Sequence, residues 1–196
     1  MSARDTILAA VRANRPAGEH KLPELPDFPL DDGGDRIGFF LRNVEAMGGR
    51  WHDGSAEAAV PTLFPNAKVI ASVVPEAAGN RDVAAVVHPR DLADVDVAIV
   101  RAAFAVAETG SVLLVDDDLI TNAVAYLAQH LVVLVDPADV LSTTQEAYRR
   151  PEFGWHRYCA FHTGPSATAD IQGVLIHGAQ GVRSLTVVMA ARPKQY

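Results

Sequence analysis

Four short runs rich in valine, isoleucine and leucine constrain the fold most: Lys68–Val74, Val95–Arg101, Leu131–Val135 and Leu185–Met189. Each is too short for a helix and too continuously apolar for a strand with one wet face, so each reads as a buried strand. Patterns of helical period fall between them. Ile37, Phe40, Leu41, Val44 and Met47 recur at helical spacing, and Gly48-Gly49 supplies a left-handed stop. Ser55 caps a short helix ending near Pro61–Phe64, and Leu119–Gln129 and Ala138–Tyr148 read as two more helices. Strands alternating with helices predict an α/β fold with a mostly parallel sheet covered on both faces. Phe104–Ala107 and Val112–Val115 add two strands meeting at a tight turn, where Gly110 allows positive φ, and Tyr158–His162 adds another strand.

The amino terminus stands apart. Ser2 and Asp5 have capping-box spacing, and Ile7, Leu8 and Val11 give one apolar face to a helix running to about Ala13. Pro16, Pro23, Pro26 and Pro29 then lie among acids and glycines, which predicts an extended linker. The division is residues 1–34, an arm and linker, and 35–196, one α/β domain. So short a helix is marginal alone, so its apolar face calls for a surface: the body, a second copy in a homo-oligomer, or a partner.

Composition excludes several classes. The formal net charge is −7 and the densest positive spots, Arg149-Arg150 and Arg192-Pro193-Lys194, are short, so nucleic acid is not expected as a partner. The greasiest stretches are interrupted by Arg101, Glu108 and Asp136, so no membrane span is expected. The start lacks the blocks of a signal peptide, which makes the cytoplasm the expected location. Cys159 is the single cysteine, against the four thiolates that an iron–sulfur cluster normally takes. The seven histidines show no ligand spacing, and neither G-x-G-x-x-G nor a P-loop occurs, so neither metal nor cofactor is expected.

Two motifs carry the candidate chemistry, Ala107-Glu108-Thr109-Gly110-Ser111 and Gly164-Pro165-Ser166-Ala167-Thr168-Ala169-Asp170. Both follow apolar strands. In α/β proteins ligands are held at the carboxyl ends of strands, so the two turns are expected to build one site there. Glu108 at the end of an apolar segment reads either as a partly desolvated base or nucleophile, or as a turn carboxylate bonded to backbone N–H groups. Gly164-Pro165-Ser166 is read as leading into a helical turn over Thr168–Val174. The N–H groups there, with the Ser166 and Thr168 hydroxyls, suit a phosphate or carboxylate; Asp170 suits an ordinary helix cap.

These motifs resemble those of the LUD-domain proteins. Phe104-Ala-Val-Ala-Glu-Thr-Gly-Ser resembles their A-x-x-E-T-G-T turn, and Gly164-Pro-Ser-Ala-Thr-Ala-Asp-Ile resembles their G-P-S-x-T-A-D-I-E signature. Gly178-Ala-Gln-Gly and Leu185-Thr-Val-Val-Met are similar to the segments that follow it, and the short form is similar to the lactate-utilisation protein C group. Asn122 and His130 fall where the family has an Asn-bearing helix and a His before a strand. Gln172, Gln180 and Thr186 depart from its usual acid and histidines, and Ser111 replaces Thr. The resemblance implies a three-layer α/β/α fold of the NagB/RpiA/CoA-transferase kind. It implies a place in oxidation of L-lactate to pyruvate beside iron–sulfur proteins. By that resemblance Glu108 is the candidate counterpart of the glutamate nucleophile of CoA-transferases, and Thr109, Gly110, Ser111, Asn122, Gly164, Ser166, Thr168 and Asp170 are candidates to bind a small anionic ligand. An enzyme or sensor acting on a small carboxylate or phosphorylated ligand is the other reading.

Overall fold

A computed structural model describes residues 2–16, 18, 21, 23–170 and 172–193. Helix α1 spans Ala3–Ala13 and opens on the capping box: the Asp5 N–H donates to Ser2 Oγ (3.2 Å) and the Ser2 N–H to Asp5 Oδ2 (3.0 Å). None of its residues is buried. The described residues from there to Asp35 form neither helix nor strand. Helix α2 (Arg36–Ala46) leads through Gly48, at φ +81°, into strand β1 (Arg50–His52). Helix α3 (Ala56–Leu63), capped by Ser55, precedes β2 (Ile70–Ser72) and β3 (Val97–Arg101). A hairpin of β4 (Phe104–Val106) and β5 (Ser111–Val115) is followed by single turns α4 (Asp116–Leu119) and α5 (Val124–Leu127), then β6 (His130–Val135). Next come β7 (Val140–Leu141), α6 (Thr144–Tyr148), α7 (Glu152–Trp155), β8 (Cys159–His162), β9 (Ala167–Thr168), β10 (Ile176–His177) and β11 (Ser184–Met189).

The central sheet has the order β1-β11-β6-β3-β2 and is parallel throughout. Successive side chains leave its two faces. Val97, Ile99, Val132, Leu134 and Val188 pack with Ala56, Ala59 and Val60 of α3. Ala98, Val100, Leu131, Val133, Leu185 and Val187 pack with Phe40 and Val44 of α2, with Leu119 of α4 and with Val124 and Ala125 of α5. Helices on both faces of a parallel sheet make the three-layer α/β/α architecture. A second sheet, β7-β4-β5-β8, lies over the α2 side: Ala105, Ala107, Val112 and Leu114 join that core. Its outer face, with Phe104, Val106 and Leu113, is covered by Ala147 of α6 and Phe153 of α7.

Three expected helices take other forms. Leu119–Gln129 divides into α4 and α5 because the backbone turns left-handed at Ile120, φ +62°. Within Ala138–Tyr148, Val140 and Leu141 pair with Ala105 and Val106, so sheet pairing claims them and only Thr144–Tyr148 is helical. The described residues of Thr168–Val174 form no helix. Thr168 Oγ1 donates to Asp170 Oδ2 (2.9 Å) and accepts from the Asp170 N–H (3.3 Å), a local bond that competes with a helix ladder. Gln172 and Gly173 at φ +55° and +75° then reverse the chain, and β9 and β10 form an antiparallel ribbon. No helix among the described residues is long and apolar enough to cross a membrane.

Candidate functional site

Strands β4 and β8 both run antiparallel to β5, so their carboxyl ends lie on one edge of the second sheet. The Glu108 turn leaves the first and the Gly164 turn follows the second, and both close on the carboxyl end of α2. Asn43 Nδ2 donates to the carbonyls of Ala107 (2.8 Å) and Glu108 (3.2 Å). Gly110 has φ +66°, and a Cβ there would lie 2.5 Å from the Asn43 carbonyl carbon. Gly164 has φ +72°, and a Cβ there would run into the Met47 carbonyl oxygen. Backbone approach, more than turn geometry alone, requires glycine at both.

Hydroxyls line the junction. Ser111 Oγ lies 2.7 Å from Thr109 Oγ1 and 2.6 Å from Thr163 Oγ1. Two bonds among three hydroxyls use two protons and leave one O–H to donate outward, which suits an anionic oxygen. A cavity of about 450 Å³ opens there, lined by Asn43, Met47, Glu108, Thr109, Ser111 and Thr163. Thr163 also borders a second cavity of about 230 Å³ with Tyr126, His162, Gly164, Ser166 and Gln180. The motifs therefore converge on two adjoining cavities that share Thr163.

Glu108 is exposed. Its Oε2 accepts from the Thr144 N–H (2.8 Å) and Thr144 Oγ1 (2.9 Å), so the carboxylate meets the first turn of α6. That is the turn-carboxylate geometry, without desolvation. Ser166 is fixed by its backbone: its N–H donates to the Val182 carbonyl (3.0 Å) and its carbonyl accepts from the Gly178 N–H (2.7 Å). Thr168 and Asp170 bond each other on the ribbon and line neither cavity. Asn122 lies between α4 and α5, where its carbonyl accepts from the Ala125 N–H (3.2 Å), and it too lines neither.

Four residues that the motifs did not announce belong here: Asn43, Thr163, Tyr126 and His162. The His162 ring lies 5.1 Å from that of Tyr126, and burial pushes its pKa down to about 4. Its Nε2 is buried without a hydrogen-bond partner among the described residues. Burial, and a hydroxyl contact with Tyr158, push the Tyr126 phenol up.

The site sits at an edge other than the expected one. Met47–Gly49 lead into β1, and Gly181-Val182 lead into β11, so both cavities lie at the amino edge of the parallel sheet. The carboxyl ends that carry the motifs belong to the second sheet. His130 lies along the same amino edge, with Nδ1 2.8 Å from Ser184 Oγ and its ring stacked 4.5 Å from Phe64; burial, then Arg50 and Arg183, lower its pKa. Of the departures from the family pattern, Gln180 borders the second cavity, while Thr186 is buried within β11. Elsewhere His156 Nδ1 lies 3.4 Å from Asp116 Oδ1 and 3.2 Å from Asp117 Oδ2, a grouping that distant sequence positions had concealed.

A parallel sheet flanked by helices, with a second sheet whose turns form a hydroxyl-lined cavity, defines a class of three-layer α/β proteins. The model of the LUD domain matches residues 58–189, and the chain belongs to that family. Its fold is similar to the crystal structure of a DUF162 family protein from Deinococcus radiodurans. That likeness has a TM-score of 0.61 at 16% identity and covers 82% of this chain and 99% of the other. Among curated proteins none matches the chain in sequence.

Proposed function

We propose that this LUD-domain chain is a non-redox component of an L-lactate utilisation system, acting in the cytoplasm with iron–sulfur partners in the oxidation of L-lactate to pyruvate. The observation that carries the reading is the Thr109–Ser111–Thr163 hydroxyl chain in a family associated with lactate utilisation. Its spare O–H suits the carboxylate of a 2-hydroxy or 2-oxo acid, and the adjoining cavity has room for one. One cysteine offers no thiolate set for a cluster, which supports a reading in which electron transfer falls to partners. The exposed Ile7 and Val11 of α1 are the surface that such a partner, or a second copy, would cover.

The test is growth of the source cells on L-lactate after removal of this chain. Growth should fail and return with the native chain, but not with a Ser111→Ala, Thr163→Val variant that still folds. Unimpaired growth without the chain overturns the reading. A second reading is an enzyme or sensor using Glu108 on a small carboxylate or phosphorylated ligand. It is favoured by the place of Glu108 on the cavity wall beside the hydroxyls of Thr109 and Ser111. Glu108→Gln separates the two: loss of ligand turnover at unchanged melting temperature favours the enzyme, and unchanged behaviour removes it.

A further inference from the structure

On the α3 face of the parallel sheet, along its amino edge, lies another cavity, about 350 Å³, that neither motif reaches. It is bordered by the end of α3 and by the residues on which β3, β6 and β11 open. His130, the first residue of β6, shares a face with Val132 and Leu134, which pack against α3. Its ring is held at two points. Phe64 stacks on it at 4.5 Å, and Nδ1 lies 2.8 Å from Ser184 Oγ. Ser184 is buried, and its hydroxyl has no other partner among the described residues. With that hydroxyl donating to Nδ1, the ring proton stands on Nε2 as a further donor.

Other donors border the same space. Among the described residues the Arg183 guanidinium makes neither an ion pair nor a hydrogen bond, in contrast to Arg81, Arg150 and Arg192, each of which meets a carboxylate. The side-chain amides of Asn66 and Gln129 are likewise unbonded there. Asp96 is the carboxylate on the lining, and it is committed to the chain: Oδ2 accepts from the N–H groups of Lys68 (2.7 Å) and Val69 (2.9 Å). Burial, then the charges of Arg50 and Arg183, lower the His130 pKa, and Asp96 opposes them. Lys68 places a third positive charge beside Asp96. Positive charge therefore exceeds negative around the cavity.

We propose that this cavity binds a phosphate dianion, free or as the phosphomonoester of a small molecule. Arg183, His130 Nε2 and the amides of Asn66 and Gln129 would donate to its oxygens. Donors from four side chains suit an anion with three or four acceptor oxygens better than a carboxylate with two, and an arginine beside a histidine suits its two charges. Leu63 and Phe64 give the carbon arm of an ester an apolar wall. The site lies across the sheet from the hydroxyl-lined turn and does not depend on its reading.

The test titrates the full-length, ¹⁵N-labelled chain with inorganic phosphate, glycerol 3-phosphate and acetate, at about pH 7.5 and at an ionic strength fixed with sodium chloride. Both phosphates are mainly dianions there. Each probe is taken to roughly 20 mM, above the millimolar Kd that a ligand of few atoms commonly reaches. The phosphates should shift the amides of residues 64, 66, 129, 130 and 183, and acetate should not. Tighter binding of the ester assigns the site to a phosphorylated small molecule, and equal binding assigns it to free phosphate; both support the proposal. Saturation should also move the His130 titration to higher pH, because the anion offsets Arg50 and Arg183. Arg183→Gln should weaken phosphate binding by about tenfold or more, the loss of a charge-assisted hydrogen bond. Arg12→Gln makes the same change of charge on α1, which buries no residue, and should leave phosphate binding unchanged. Absence of the amide shifts, equal shifts with acetate, an unmoved His130 titration, or equal affinities for Arg183→Gln and Arg12→Gln overturns the proposal.

Discussion

Gly110 and Gly164 hold two turns against one helix end, and both have left-handed backbone with another backbone where a Cβ would go. Gly164→Ala should cost about 1–3 kcal/mol for the backbone conformation alone, and more once Met47 is displaced. Urea denaturation measures it. Gly154 in α7 is the control, because a Cβ there meets nothing within 4 Å; Gly154→Ala should leave stability equal or raise it. Similar losses in both variants would show that Met47 does not constrain the turn. The glycines and hydroxyls of the motifs were legible because local chemistry marks a turn. Glu108 was legible only as a choice between two readings, since the sequence does not say that Thr144 meets its carboxylate. Asn43 was not legible at all: it reaches the Ala107 carbonyl across 64 positions, a pairing fixed only by the packing of α2.

At the scale of elements, the inner strands β3, β6 and β11 were the clearest, because burial on both faces leaves unbroken apolar runs, whereas edge strand β1 has none and was not legible. Of the helices that failed, one lies where the chain serves a second partner. Val140-Leu141 has the apolar content of a helix face, but β4 offers it a ladder. The amino-terminal helix was legible from its cap, and its surroundings bear on what it does. No residue of α1 is buried, whereas the linker is fastened to α6: Gln145 Nε2 donates to the Pro26 carbonyl (3.0 Å), its Oε1 accepts from the Phe28 N–H (3.1 Å), and Arg149 pairs with Asp27. Removing residues 1–14 should change stability by under about 1 kcal/mol, about 2–4 °C in melting temperature for a domain of this size. Removing residues 1–30 also strips those bonds and should lower the melting temperature further. Calorimetry on the two truncations distinguishes the outcomes. A fall of more than about 10 °C on losing only residues 1–14 would show that α1 clasps the body and is not free for a partner.

For the molecule as a whole, the two edges of the parallel sheet carry different chemistry, hydroxyls and histidines at the amino edge and ion-paired arginines at the carboxyl edge. The amino edge should therefore set the acid response of the fold. Burial lowers the pKa of His162 from 6.5 to about 4, and it lowers that of His130 in the same direction. A histidine depressed in this way disfavours its proton in the folded state, so the unfolded chain binds more protons between the two values. Its contribution is complete above pH 6.5 and is lost as pH falls from 6.5 toward 4, below which both states are protonated. At 1.36 kcal/mol per unit, the His162 shift corresponds to about 3 kcal/mol over that window. Lowered carboxyls such as Asp96 and Asp136, held down chiefly by backbone N–H groups, add losses only as pH approaches their ordinary range near 3.8. The raised Asp118 acts oppositely, favouring the fold at low pH. Urea denaturation at pH 7.0 and 5.0 should show the native chain losing on the order of 2 kcal/mol, with His162→Phe losing less than half as much. Phenylalanine keeps the ring against Tyr126 and removes the titration, so its stability at pH 7.0 should change little. An equal loss in both proteins would move the acid response away from His162, to His130 or to the carboxylates.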